Sequence, residues 1–466
     1  MGISTFTRML LCGVLSAALC ATAAEGAERS NVRGIGMART FVALSRGLDA
    51  AGINPACLGA PDSGIIAFSV VPVGVHVGSE FLDYDLYNSY FTGVETDGQR
   101  VGRYLSTSDK EKILSAFQTD VARSSAEAEL RLFGFLLRLG RTSSLAFTVT
   151  EQLGVVADIP RDYMSFLFNG NLPGSQFDFA GTRVKASWRR DYAFSFGARV
   201  AESPLLGALS IGAAAKLVQG YWYYEVERFN TRLITANNGT LTGTVDFLAR
   251  QVGGRLINGN SDEGYNLFPE AAGSGVGFDI GMASQVTRFF SFGVSVTDIG
   301  RVRWSKEVEE VRAESTMVVD DPLDANQRDA IESVIKGKRN PGTAFTTGLP
   351  TTLRVGVALA VHKLPAFGAM PGELLVGLDY NQGLRELPGT TKKPRASIGL
   401  EYKPNGWVLL RSGVSLGGTD HFNVAFGVGV HVGPFGFDIA SENTGWLFAP
   451  KSFSHGSLAA GMQIAL

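Results

Sequence analysis

Between residues 351 and 362 the chain puts Leu353, Val355, Val357, Leu359 and Val361 on one side of an extended backbone, with Arg354, Gly356, Ala358 and Ala360 on the other. A strand turns successive side chains to opposite faces, so this period of two predicts a sheet with one bulky face and one small or polar face. The split recurs in Phe422-Val424-Phe426-Val428-Val430-Val432 against Asn423-Ala425-Gly427-Gly429-His431, and in Val276-Phe278-Ile280-Met282 against Gly277-Asp279-Gly281-Ala283. It recurs again in Leu374-Val376-Leu378-Tyr380 and in Ala396-Ile398-Leu400-Tyr402. A soluble sandwich would solvate its second face with Lys, Glu and Thr rather than Gly and Ala. Several runs also reach the length of about 9–11 residues that crosses a bilayer with tilt. The pattern predicts an all-β fold, a transmembrane antiparallel β-barrel whose bulky face meets lipid.

Candidate strands begin near Gly64, Glu127, Ser143, Thr182, Tyr192, Ala208, Thr240, Gly275, Phe290, Thr351, Glu373, Arg395, Trp407, His421, Phe435 and Gly456. That gives about 14 to 16, an even number being expected of a single-chain barrel. Two insertions do not alternate. Ser108-x-x-Glu111 reads as a capping box opening a helix over 108–122, and Asp324-x-x-Gln327 opens another over 324–336. Such helices belong in extracellular loops, where they would cap the mouth or fold into it, because periplasmic turns are short. Residues 163–176 and 230–266 read as further long loops. Trp188, Trp222 with Tyr221, Tyr223 and Tyr224, Trp304, Trp407 and Trp446 fall near strand ends, as interfacial girdles would.

Residues 1–24 read as a secretory signal, with Arg8 before an apolar run and Ala21-Thr22-Ala23 at the cleavage site. Residues 25–62 then form a separate N-terminal segment and 63–466 the barrel. Once the signal is removed, Cys57 is the one cysteine left, so no internal disulfide is expected. The net charge of -2 gives no electrostatic case for nucleic acid.

The stretch from Arg33 to Leu58, with Gly34-x-Gly36, an apolar Ala-rich run and then Asn54-Pro55-Ala56-x-Leu58, resembles the N-terminal signature of the long-chain fatty-acid transporter (FadL-like) outer-membrane family. Further stretches are similar to an uncharacterised exported subgroup of that family, related to secretion-shuttle barrels: Phe168-N-G-N-Leu172, Trp188-R-R-D-Y-Ala193, and Gly275-V-G-F-D-I-Gly281 running on to Gly300. Cys57 stands where Gly is usual, and the chain ends in Leu466 rather than an aromatic residue. The resemblance implies about 14 strands in the bacterial outer membrane, a luminal plug formed by the N-terminal segment, and insertion by the barrel-assembly machinery. It further implies passive uptake of a hydrophobic small molecule such as a long-chain fatty acid, contacting Phe41, Val42, Leu44 and Leu48 of the plug and leaving through a break in the wall. Pro within a strand removes a ladder bond, which makes 71–74 (Val-Pro-Val-Gly) the expected break. The alternative is a barrel that does not transport and serves as a secretion shuttle, assembly factor or scaffold, with a secretion or surface protein as its partner.

By parity Lys185, Arg189, Arg199, Lys216, Asp279, Arg354, Asp379, Glu401, His431 and Asp438 face the lumen. Their mixed signs argue against a charge-selective pore and predict pairing across the wall. No enzyme is expected. Gly413-V-S-L-Gly417 matches the nucleophile-elbow pattern but lies between two strands, without the strand-to-helix turn an elbow needs. Gly34-x-Gly36 lacks a preceding strand and a third glycine, so no dinucleotide cofactor is expected. The five histidines show no metal-ligand spacing, so no metal is expected either.

Overall fold

A computed structural model describes residues 29–60, 64–96, 98–254, 269–320, 324–444 and 454–466. The signal over 1–24, Trp446 and residues 255–266 of the 230–266 loop lie outside the described residues.

Fourteen staves close a barrel. They are β1 (Ile66–Ser79), β2 (Val121–Leu139), β3 (Ser143–Pro160), β4 (Arg183–Ser203), β5 (Gly207–Phe229), β6 (Gly273–Gln285), β7 (Phe290–Trp304), β8 (Thr352–Ala360), β9 (Glu373–Gly383), β10 (Arg395–Lys403), β11 (Val408–Gly417), β12 (Phe422–Val432), β13 (Phe435–Ser441) and β14 (His455–Ala465). Each pairs antiparallel with the next, and β1 closes on β14 from Ala67↔Ala465 to Gly78↔His455. Full closure leaves no unpaired sheet edge in lipid.

The alternation sorts the side chains inside out. Val276, Phe278 and Ile280 of β6 are 50%, 52% and 53% exposed, while Asp279 between them is buried. On β12 Phe426, Val428 and Val430 are exposed, while Asn423 and Ala425 are buried. An outward apolar band over a polar interior is the arrangement a bilayer solvates. Short turns such as 140–142, 204–206 and 433–434 lie at one end, and the connections 80–120, 161–182, 230–272 and 305–351 at the other. By the usual asymmetry the long-loop end faces outward. There β4 and β5, at 21 and 23 residues, outrun the membrane. Outside the barrel, strands Leu241–Val252, Glu309–Val319 and Lys338–Pro341 pair into an extension of the same sheet.

Two of the sixteen candidate strand starts were not separate staves. Those at Thr182 and Tyr192 both fall to β4, a single stave of 21 residues. The run from Thr240 belongs to the loop extension. The first loop helix is Thr107–Ser115, capped by Ser106 rather than Ser108, with Asp109 returning the bond to the Ser106 backbone. The second, Ala325–Lys336, is capped by Asp324 and packs on the loop strand Glu309–Val319. Two helices went unread in sequence, Tyr84–Tyr90 and Asp162–Asn169. Trp407 is exposed at the short-turn end, as a girdle residue would be, whereas Trp304 is buried against Tyr223 and Phe345 with its indole donating to Thr347.

Candidate functional site, a segment seated in the lumen

Residues 29–60 run through the barrel interior, nearly all buried. They form little regular structure: one helical turn, Val32–Ile35, capped by the Asn31 side chain, and two 3-10 turns, Gly47–Ala50 and Pro55–Gly59. Their backbone polar groups therefore need partners elsewhere, and the barrel wall supplies many of them.

Asp379 of β9 accepts from the backbone N–H of Phe41 at 2.6 Å and of Val42 at 2.8 Å. Ser295 of β7 donates to the Ile53 carbonyl at 2.6 Å. The Asn54 amide donates to the carbonyls of Val42 (3.4 Å) and of Met282 on β6 (3.2 Å), and its oxygen accepts from Ala56. Gln463 of β14 donates to Asp49 at 2.8 Å; burial pushes that carboxyl up, against the pull of Arg33 and Arg131.

Salt bridges fix the near end. Arg29 lies between Glu127 of β2 and Glu442 beyond β13, each at 2.8 Å. Arg33 pairs with Glu401 of β10, and Arg39 takes both oxygens of Glu442 at 2.9 and 3.0 Å. The Ser30 hydroxyl donates to Glu129.

Glycines allow the wall to come this close. Met37 passes Gly399 and Gly413, where an added Cβ would fall 2.7 Å and 2.6 Å from its carbonyl oxygen. Thr40 occupies the same space at Gly377, and Leu58 at Gly197. Neighbouring members of this belt are in register, Gly197 opposite Gly212, Gly212 opposite Gly281 and Gly399 opposite Gly413. The belt follows the segment, and a side chain at these positions would collide with it.

The four apolar residues Phe41, Val42, Leu44 and Leu48 are all buried in this packing. Leu44 meets Gly377, Val42 meets Gly356, and Leu48 packs with Ala67, Leu136 and Ala146 of β1 to β3. Phe41 lies under the Arg33 guanidinium, 5.1 Å from the ring centre. A cavity of about 10 Å³ borders Phe41 and Val42, and another of about 30 Å³ borders Ala43, Ala56 and Cys57. Each of these two spaces suits a water molecule or two rather than an alkyl chain.

The parity-selected residues all lie on the interior side. Lys216 is shared by Asp279 (2.9 Å) and Asp298 (2.7 Å), Arg189 lies by Asp191, and Lys185 meets Glu225 at the loop end. Arg411 joins Glu401 and Asp438, His431 meets Asp438, and Arg199 meets Glu202 at the turn end. Arg354 donates to the Thr297 hydroxyl. Ser415 is buried within β11 opposite Asn423, on a strand that leads to another strand and not to a helix.

Sequence reading missed Arg29, Arg33, Glu127, Glu129 and Glu442, although Glu127 and Glu129 share a parity in β2 that would have shown them. It also missed the loop 384–394, which folds inward over the segment. Glu386 reaches Arg123 of β2 at 3.0 Å, and Pro388 lies over Gly154 of β3. At the expected break, β1 runs on through Pro72 but its ladder is irregular. Val71 takes φ 42°, the β1/β14 register slips by one between Val70 and Val73, and β2 slips against β3 between Arg131 and Phe133. Gly461 of β14 faces Pro72 and Val32 there, next to the seated segment.

The barrel is similar to solved outer-membrane structures. The toluene transporter TbuX of Ralstonia pickettii matches with a TM-score of 0.50 at 14% identity, covering 95% of this chain and 99% of that one, and shows the fold. Lower in TM-score, and adding nothing to that likeness, are a FadL homologue of Pseudomonas aeruginosa (0.46, 12% identity, 95% and 99% covered) and the Pseudomonas putida toluene transporter TodX (0.44, 11%, 95% and 98%). No curated protein matches. A family described as one of unknown function, DUF5723, matches residues 63–442, so the chain belongs to that family.

Proposed function

We propose that this chain is a bacterial outer-membrane channel for passive uptake of hydrophobic small molecules, gated by residues 29–60. The observation that carries the reading is the apolar segment seated beside the irregular ladder at Pro72. Phe41, Val42, Leu44 and Leu48 offer the surface a hydrophobic molecule would meet once the segment shifts. Opening there would give it a sideways exit into the bilayer. A buried methylene gains about 0.8 kcal/mol, so a few of them suffice for useful affinity. The transporters of similar fold act on toluene by their names, and long-chain fatty acids are a second candidate class.

The test is uptake by liposomes carrying the purified protein. A pair of cysteines at positions 69 and 463, cross-strand partners beside the break, would staple β1 to β14 in a Cys57→Ser background. Uptake of an apolar dye should fall on oxidation and return on reduction. If wild-type protein moves and binds no apolar compound, and instead copurifies with another protein through its loops, the scaffold reading replaces this one.

A further inference from the structure

Stave β7 is longer than a membrane crossing needs, and its surplus carries charge. It runs 15 residues from the short-turn end, so the roughly 9–11 that cross a bilayer are used up near Ile299 or Gly300. Arg301 and Arg303 come next, both exposed and on the outward parity. Their cross-strand partners on β6 are Val276 and Ser274, and on the loop strand Phe345–Gly348 they are Gly348 and Thr346. Cross-strand partners share a face, so the bare Gly348 leaves a gap beside Arg301. Arg385, from the loop 384–394, fills it: its guanidinium lies where a side chain at Gly348 would stand. Three exposed guanidinium groups thus gather on the outside of the wall, and none of them has an ion pair or hydrogen bond among the described residues. Lys306, a little farther along the chain, does have one, to Glu270 at 2.6 Å. Below the three arginines runs the apolar band, where Leu217, Val276, Phe278 and Ile299 are all exposed.

We infer that this patch binds the phosphate head of an acylated lipid in the outer leaflet, whose acyl chains lie along the apolar band. Charge selects the head group. An arginine at the membrane surface is stabilised by an anionic lipid, and its planar guanidinium takes two phosphate oxygens at once. Arg301 and Arg303, two residues apart on one strand, start about 6.6 Å from each other, so both reach a single phosphorylated head. Position selects a lipid over a free ion. The cations follow directly on exposed Val276 and Ile299, along which acyl chains run in a bilayer. The cations of the lumen differ, because Lys216 and Arg411 each already hold two carboxylates. The site requires the barrel to span the outer membrane, as proposed above, and is independent of what the barrel carries.

Native mass spectrometry of the full-length protein in a neutral detergent tests this with three probes: lipid A carrying two phosphates, the same lipid with its phosphates removed, and inorganic phosphate. Arg301→Gln together with Arg303→Gln should weaken the phosphorylated lipid about thirtyfold, at about fivefold per arginine, and leave the dephosphorylated lipid within about twofold. Arg385→Gln should cost about fivefold. Lys306→Gln, at a cation already paired with Glu270, should change binding by less than about twofold. All four side chains are exposed, so the variants leave the barrel's packing alone, and heat-modifiable migration on gels checks that they do. Equal binding of the phosphorylated lipid by wild type and the double variant would overturn the inference. So would an equal loss in Lys306→Gln, or inorganic phosphate that binds as tightly and displaces the lipid. No transported molecule enters these measurements, so failure here leaves the uptake reading standing, and failure of uptake leaves this site standing.

Discussion

Asp379→Ala should unseat the luminal segment without opening the barrel. The Asp379 carboxylate accepts two backbone N–H groups, from Phe41 and Val42, at 2.6 and 2.8 Å in a buried setting. Alanine removes the acceptor and leaves both donors buried without it, at about 1–3 kcal/mol each, or roughly 2–6 kcal/mol together. At about 1.4 kcal/mol per factor of ten, the unseated population rises roughly thirtyfold to twenty-thousandfold. Cys57 is the natural reporter. Its thiol is buried against the Val42 carbonyl at 3.5 Å, and burial also pushes its pKa up, so in the seated state it resists alkylation. Where reseating outpaces alkylation, the labelling rate follows the unseated fraction. Asp379→Asn keeps one acceptor oxygen without the charge and should fall between the two. The unheated electrophoretic band reports that the barrel has stayed closed. If the alanine variant keeps its compact band and labels Cys57 within about twofold of wild type, Asp379 does not hold the segment and the reasoning fails.

Other outcomes follow from the same contacts. Gly399→Val and Gly413→Val place side chains inside the Met37 backbone contact, so planar-bilayer conductance should rise in folded protein; unchanged conductance would place the segment's closure elsewhere. Arg29→Gln leaves Glu127 and Glu442 short of a buried partner, a loss of about 3–5 kcal/mol, and should also speed Cys57 labelling. Ser106→Ala removes the cap of the Thr107–Ser115 helix and should cost about 1 kcal/mol locally, seen as faster hydrogen exchange there with the staves unaffected. Burial pushes the Tyr163 phenol up to about 12. A raised folded pKa gives stability present below the unfolded value of about 10 and lost as pH rises through about 12, so the Asp162–Asn169 contacts should loosen in that window by tyrosine absorbance.

The wall was legible because its signal is local. In β8 and β12 each residue's face follows from its neighbour's, and lipid on one side keeps that alternation free of exceptions. It failed where one long stave read as two, at Thr182 and Tyr192 of β4, and where strands left the bilayer, at Leu241–Val252. Loop helices were legible through their caps, though Ser106 and Asp109 show that two overlapping polar patterns can shift the start. The path of residues 29–60 was not legible, since its contacts with Asp379, Ser295 and Gln463 span hundreds of residues and leave no period. One trace was present all along in the glycines. Gly399 and Gly413 are interior positions that hold no side chain because the Met37 backbone passes there, and Gly377 makes room for Thr40 and Leu44.

The interior charges show why the segment belongs to the barrel's own stability. Facing wall residues were expected to pair among themselves, and Lys216 with Asp279 and Asp298, or Arg411 with Glu401 and Asp438, do so. Glu442, however, meets Arg29 and Arg39, while Glu127 meets Arg29 and Glu401 takes Arg33 as a second partner; all three cations come from the segment. A wall that leaves these carboxylates to be completed from the N-terminus keeps them costly until it seats. That cost disfavours an empty pore. It also limits how far the segment can withdraw for a passing molecule, because Arg29, Arg33 and Arg39 anchor one end while Phe41 to Leu48 lie beyond them. On the uptake reading proposed above, motion confined to the stretch after Arg39, with the three arginines still paired, would open a path past Asp379 without exposing the buried acids.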